Sequence, residues 1–262
     1  MITNLENFSK EALDAWSRGL EKNRLLKWTG SDIESTYKYN LKHNRDLMKK
    51  VPRDVVYKTN DNGFRCDNFD KQTVILFNGC SHTFGTGINV EDTYASLLAK
   101  ELDIPYHNVS LGGSDISLAV SRSVYWLLKL RPKVHFFQCP PSARVGHYTD
   151  KRTTRNKSIG LNFVSSAHDT DLWPPHKREL MLEENIEWNY YSSICTLKQI
   201  CQELNIKLIF KTWQELNRPY PKGTLQKPIL TEEERYLARD LVHAGIEQNL
   251  RVFQGLLKEG LL

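Results

Sequence analysis

The sequence predicts an α/β fold with a mostly parallel sheet, from two observations: one apolar run that stops abruptly among small residues, and an alternation of strand-like and helix-like segments behind it. The run is TVILF, Thr73 to Phe77, continuous β-branched and aliphatic residues of the kind a strand buried on both faces requires. It ends in FNGCSHTFGTG, Phe77 to Gly87, where Gly79, Gly85 and Gly87 permit a sharp backbone turn.

The elements follow in order. Residues 1 to about 50 are polar, carry scattered aromatics (Trp16, Trp28, Tyr37, Tyr39) and lack proline, which predicts amphipathic helices in an extension or lid. The boundary is placed so that residues 1–54 form a helical extension and 55–262 the main domain. Asn60-Asp61-Asn62-Gly63 is a strong turn signal in a hairpin-like approach, Val55 to Asp70. After the first strand come a helix at about Asp92–Leu102, a strand at Tyr106–Val109, a helix at about Ser114–Leu130 and a strand at Val134–Gln138. That order is the signature of right-handed βαβ units. Pro140 to Pro175 has no clear period and reads as a functional loop across the mouth of the sheet. A long helix, Glu179–Leu204, then leads into a strand at Lys207–Phe210; LNRPYPKGTLQKP is another loop, and Glu232 onward is helical with a break near His243. The fold class is a flavodoxin-like three-layer α/β/α sandwich with a mostly parallel five-stranded sheet.

Composition sets the outer bounds. The chain has 262 residues, 40% hydrophobic and 26% charged, ordinary for a soluble globular protein. No segment approaches the roughly 20 apolar residues needed to span a bilayer, and the opening residues do not read as a signal peptide. Five cysteines without a C-x-x-C suggest neither a disulfide framework nor a zinc ribbon, so a cytoplasmic location and no membrane association are expected. The net charge of +5 is concentrated in KRTTRNK, Lys151 to Lys157, read as a solvated loop or an attraction for an anionic substrate. No nucleic-acid-binding module is present, and nucleic acid is not an expected partner.

Ligands of open parallel sheets bind outside the carboxyl ends of the strands, where Ser81 lies. A serine nucleophile needs a base, and the base an orienting acid. ARDLVHAG supplies Asp240 and His243 three residues apart, able to pair if they lie on an irregular turn before the final helix. Donors for an oxyanion are usually backbone N–H groups at tight turns, and NVSLGGSD offers Gly112 or Gly113, with Asn108 bracing the turn. Each feature alone also reads structurally: the Gly-x-Ser as a turn, Asp240 as a helix cap, Gly-Gly as a connection. His107, His135, His147, His168 and His176 lack metal-ligand spacing, and GTGINVEDT is not followed by Gly-Lys-Ser/Thr, so no metal and no nucleotide cofactor is expected. Asp169, Asp171 and Trp173 either line the pocket or decorate the loop.

Taken in order, GCSHTFG (Gly79–Gly85), SLGGSD (Ser110–Asp115) and DLVH (Asp240–His243) resemble the Gly-Asp-Ser, glycine and Asp-x-x-His blocks of the SGNH hydrolases, also called GDSL-like esterases and lipases. NGFRCDNF (Asn62–Phe69) is similar to a lead-in found in some members, including proteins encoded by tailed phages. The resemblance implies the SGNH fold, Ser81 as nucleophile, Asp240 and His243 as acid and base, and an oxyanion hole of the Ser81 and Gly113 N–H groups. Two departures stand out: Cys80 replaces the aspartate before the serine, and FFQCPPSARVG carries no asparagine for a third oxyanion donor, a role for which Gln138 or Ser142 is the substitute. Arg144 and His82 are candidate substrate-binding residues. The implied activity is removal of an acetyl or other short acyl group from a small-molecule or glycan ester. The alternatives are an O-acyltransferase with the same triad and a non-catalytic glycan-binding or assembly module on the same fold.

Overall fold

The computed structural model describes residues 4–69, 73–141, 144–149, 160–165, 183–212 and 237–260. Strands are β1 (Leu25–Leu26), β2 (Tyr57–Lys58), β3 (Ile75–Asn78), β4 (Tyr106–Asn108), β5 (Val134–Cys139), β6 (Arg144–Thr149), β7 (Gly160–Ser165) and β8 (Lys207–Thr212). Helices are α1 (Lys10–Ser17), α2 (Glu34–His43), α3 (Arg45–Met48), α4 (Ser81–Phe84), α5 (Tyr94–Glu101), α6 (Ile116–Leu130), α7 (Glu183–Glu203) and α8 (Ile246–Glu259).

The main sheet runs β4–β3–β5–β8, with every neighbouring pair parallel. Among the described residues it has four strands, not the five expected. Strand β3 is interior, and all four of its residues are buried. Side chains alternate between the two faces. Leu76 and Phe137 pack with Val120, Val124 and Leu127 of α6 and with Leu197 and Ile200 of α7. Ile75, Phe77, Phe136 and Ile209 pack with Tyr94 and Leu98 of α5 and with Val252 and Leu256 of α8. Helices therefore cover both faces, giving three layers. Each such fully buried large side chain contributes roughly 1.5–3 kcal/mol.

Local chemistry sets the boundaries. Asp115 caps α6 by accepting from the Leu118 N–H, and Thr93 caps α5 by accepting from the Ser96 N–H. At the end of β3, Asn78 donates to the Ala119 carbonyl and the Ser123 hydroxyl and accepts from the Gly79 N–H. These bonds fix the point where the chain leaves the sheet.

Two expectations need amendment. The stretch after Pro140 contains an antiparallel pair, β6 with β7, in register from Arg144 opposite Ser165 to Thr149 opposite Gly160. Such a pair is held by its ladder and its cross-strand neighbours, so it needs no apolar run that periodicity would reveal. The turn at Asn60–Gly63 forms, with Asn60 accepting from the Asn62 and Phe64 N–H groups, but β2 pairs with β1 of the N-terminal segment and not with a strand following the turn. Residues 151–159, Asp169, Asp171, Trp173, Ser142 and the loop LNRPYPKGTLQKP lie outside the described residues. Among those described, no helix is long and apolar enough to cross a membrane.

Candidate active site

Two turns meet at the carboxyl end of β3. The first carries Ser81 at the start of the four-residue helix α4, closed by Gly85 at φ +78°. Gly79 is demanded by close approach: a Cβ there would stand 2.6 Å from Thr83 Oγ1 and 2.8 Å from the Gln138 carbonyl oxygen. The buried Arg65 guanidinium donates to the carbonyls of Phe84, Gly85 and Ile88 and so shapes the rest of this turn. Burial lowers its pKa to about 10, still high enough to keep it charged near neutrality.

The second turn, Leu237 to Ala244, is closed by a bridge between those two residues and by the Ala238 N–H donating to the His243 carbonyl. Leu241 sits in its middle at φ +56°, a conformation a bulky residue rarely adopts. This places Asp240 and His243 side by side on a non-helical turn before α8. Asp240 Oδ2 lies 2.6 Å from His243 Nδ1, while Oδ1 accepts from the backbone N–H groups of Val242 and His243. Burial opposes the carboxylate charge, but the hydrogen bond and charge of His243, the Ser31 hydroxyl and the His243 N–H outweigh it and hold Asp240 down at about 2. An ionised Asp240 can only accept, so His243 Nδ1 carries the proton that points at it and Nε2 faces away from the carboxylate.

The turns dock directly. Arg239 N–H donates to the Gly87 carbonyl, and a Cβ on Gly87 (φ +80°) would lie 2.7 Å from that of Ala238. The rings of His82 and His243 are 5.3 Å apart. Ser81 is buried, and its hydroxyl has no hydrogen-bond partner among the described residues. From the other side comes the glycine block, where a Cβ on Gly112 would lie 3.9 Å from Ser81 Cβ and Gly113 adopts φ +76°. Asn108 braces this junction by donating to the Thr83 carbonyl and accepting from the Ser110 N–H.

Gln138 has a different place from the one expected. Its Oε1 accepts from Thr83 Oγ1, Cys80 Sγ and Cys80 N–H, and its amide nitrogen donates to the Cys139 carbonyl. The side chain is fully buried and tied to the scaffold beneath the serine turn, where it acts as a brace. Arg144 opens β6 opposite Ser165, and its side chain lies outside the described residues. Among the described residues no group of three His, Cys, Asp or Glu side chains is arranged to hold a metal ion. His135 belongs to the core: its Nδ1–H donates to the Leu76 carbonyl and its Nε2 accepts from Ser123.

A further set of residues joins the site from the N-terminal segment. Ser31 donates to Asp240 Oδ2 at 2.6 Å. Asp32 forms a buried ion pair with Arg239 and accepts from the Tyr57 hydroxyl, which itself accepts from the Gly87 N–H. The Arg239 guanidinium stacks on Trp28 at 4.1 Å. Nothing in their spacing marks these residues, because the bonds from Ser31 to Asp240 and from Asp32 to Arg239 span 209 and 207 positions; the one local signal is that Arg239 adjoins Asp240.

No known family model and no curated protein matches the chain. Solved structures to which it is similar include TesA, 12% identical over 72% of this chain and 99% of that one, with a TM-score of 0.36. The psychrotrophic esterase EstA from Pseudoalteromonas sp. is 14% identical over 72% and 96% of the two chains, with a TM-score of 0.35. The acetyl xylan esterase Est2A from the rumen bacterium Butyrivibrio proteoclasticus is 16% identical over 70% and 50%, with a TM-score of 0.33.

Proposed function

We propose that this protein is a serine-dependent ester hydrolase that removes an acetyl or other short acyl group, with carbohydrate esters as the substrate class. The observation that carries the reading is the Asp240–His243 pair, held at 2.6 Å on a turn docked against the turn that bears an unpartnered, buried Ser81 hydroxyl. His243 Nε2 takes the Ser81 proton as Oγ attacks the ester carbonyl. The N–H groups of Ser81 and Gly113 receive the oxyanion. The imidazolium returns its proton to the departing alcohol. Water, deprotonated by the same nitrogen, then cleaves the acyl-enzyme and releases the acid. His82, beside the imidazole, and Arg144, at the head of β6, are proposed to meet the alcohol portion of the substrate.

The test is incubation with a fluorophosphonate, with the labelled peptide mapped by mass spectrometry, alongside hydrolysis of an aryl acetate. Labelling is expected at Ser81. Ser81→Ala and His243→Ala should each lose most turnover, whereas Asp240→Asn, which keeps nucleophile and base but removes the orienting charge and one acceptor oxygen, should retain a measurable fraction. Unchanged turnover in Ser81→Ala would remove the assignment, and saturable glycan binding without labelling would point to a binding module.

A further inference from the structure

We propose that Ser31, in the turn before α2, is a positioning residue for His243: its hydroxyl completes the set of donors around the Asp240 carboxylate and tunes how firmly that carboxylate holds the imidazole. The inference rests on His243 being the base of the reaction.

A carboxylate offers about four acceptor positions. At Asp240 four donors are present: the Val242 N–H at 3.0 Å and the His243 N–H at 3.1 Å on Oδ1, the His243 Nδ1–H at 2.6 Å and the Ser31 O–H at 2.6 Å on Oδ2. Three come from the turn itself. The fourth comes from 209 residues away, and it shares Oδ2 with the imidazole, 3.4 Å from Nδ1.

The placement of Ser31 is built. Thr29 and Asp32 exchange backbone hydrogen bonds across it, at 3.0 and 3.1 Å, with Gly30 at φ +62° inside the turn. The next residue, Asp32, grips Arg239, whose guanidinium also donates to the Lys27 carbonyl. Both turns are therefore clamped one residue from the Ser31–Asp240 bond, so the hydroxyl is aimed at the carboxylate. Among the described residues, the titratable and charged groups near the imidazole are Asp240 on its own turn, His82 from α4, and the Asp32–Arg239 pair next to Asp240 in the clasp.

A donor on Oδ2 draws negative charge away from Nδ1. Without it the carboxylate holds the imidazolium more strongly, so His243 should titrate at higher pH, and the carboxylate loses one point of attachment. Removing the hydroxyl should move the acidic limb of the pH–rate profile to higher pH and lower kcat by about 3- to 10-fold with KM within about twofold, as expected for a group acting through the base.

The experiment compares the full chain with Ser31→Ala and Ser31→Thr. It follows the His243 imidazole resonance by NMR against pH, and Ser81 labelling by a fluorophosphonate over the same range. Ser31→Ala should shift both curves to higher pH, and Ser31→Thr, which keeps the hydroxyl, should restore them. An unshifted His243 titration in Ser31→Ala, or a threonine variant as impaired as the alanine variant, would overturn the inference. A shifted titration in a protein whose Ser81 never labels would instead remove the esterase reading and leave the coupling of Ser31 to Asp240 standing.

Discussion

Asp32→Ala should damage this protein more than loss of a single side chain at the edge of a turn suggests. The Asp32 and Arg239 side chains are 1% and 4% exposed. Arg239 Nε lies 3.0 and 3.2 Å from the two carboxylate oxygens, and Nη2 lies 2.6 Å from Oδ2. Among the described residues, removing the carboxylate leaves the guanidinium buried with the Lys27 and Arg53 carbonyls and the Trp28 and Tyr37 rings as its neighbours. It also strips the acceptor from the Tyr57 hydroxyl, whose own pKa is pushed up by burial and by Asp32 so that it stays a donor. Breaking a buried pair from one side costs about 3–5 kcal/mol. At about 2–4 °C per kcal/mol for domains of about 150–250 residues, Tm should fall by about 6–20 °C. Urea unfolding of Asp32→Ala, Arg239→Met and the double variant is the assay. The double variant buries no lone charge, so its loss should be smaller than the sum by at least about 1 kcal/mol. An Asp32→Ala protein within about 1 kcal/mol of the parent, or strict additivity in the double variant, would refute the reasoning.

Two further outcomes are expected. Burial lowers the His135 pKa to about 4; the unfolded chain takes up this proton below about 6.5 while the folded one resists. Its contribution to stability is thus present above pH 6.5 and is lost as pH falls toward 4, on the order of 3 kcal/mol in all. Urea midpoints between pH 7 and 4 should show this slope, and His135→Gln should flatten it; an equal slope in the variant would contradict the assignment. Gln138→Ala removes the acceptor shared by Thr83 and Cys80 and should lower stability by about 1–3 kcal/mol; full stability with a kcat loss of 10-fold or more would return Gln138 to the oxyanion hole.

The sandwich was legible because a strand covered on both faces must be apolar throughout, and ILF of β3 is; the capped helices α5 and α6 then begin close to their polar caps at Thr93 and Asp115. Asp240 and His243 were legible as a pair because their contact is local. Ser31, Asp32 and Tyr57 were not, since a hydroxyl or carboxylate in a polar segment looks like any solvated residue until the fold brings it to its partner. Gln138 misled for the opposite reason: a polar residue ending a buried strand looks available for chemistry, yet a fully buried amide must satisfy its own hydrogen bonds first. The left-handed Leu241 left no trace, because glycine is the residue that normally announces that conformation.

The clasp between residues 27–32 and 239–243 also carries a folding order. Strands β3, β4 and β5 with helices α5 and α6 lie within one continuous stretch, Ile75 to Cys139, and can assemble from neighbouring contacts. The bonds from Ser31 to Asp240 and from Asp32 to Arg239 bridge 209 and 207 positions, and closures of that span are paid for in chain entropy before any contact rewards them. A chain can therefore hold its sheet, and the serine on its turn, before the imidazole is seated. During refolding, far-ultraviolet signal should recover ahead of reactivity at Ser81. A fragment cut at residue 54 would be arrested in that earlier condition, with Asp240 short of one donor and Arg239 without its counter-charge.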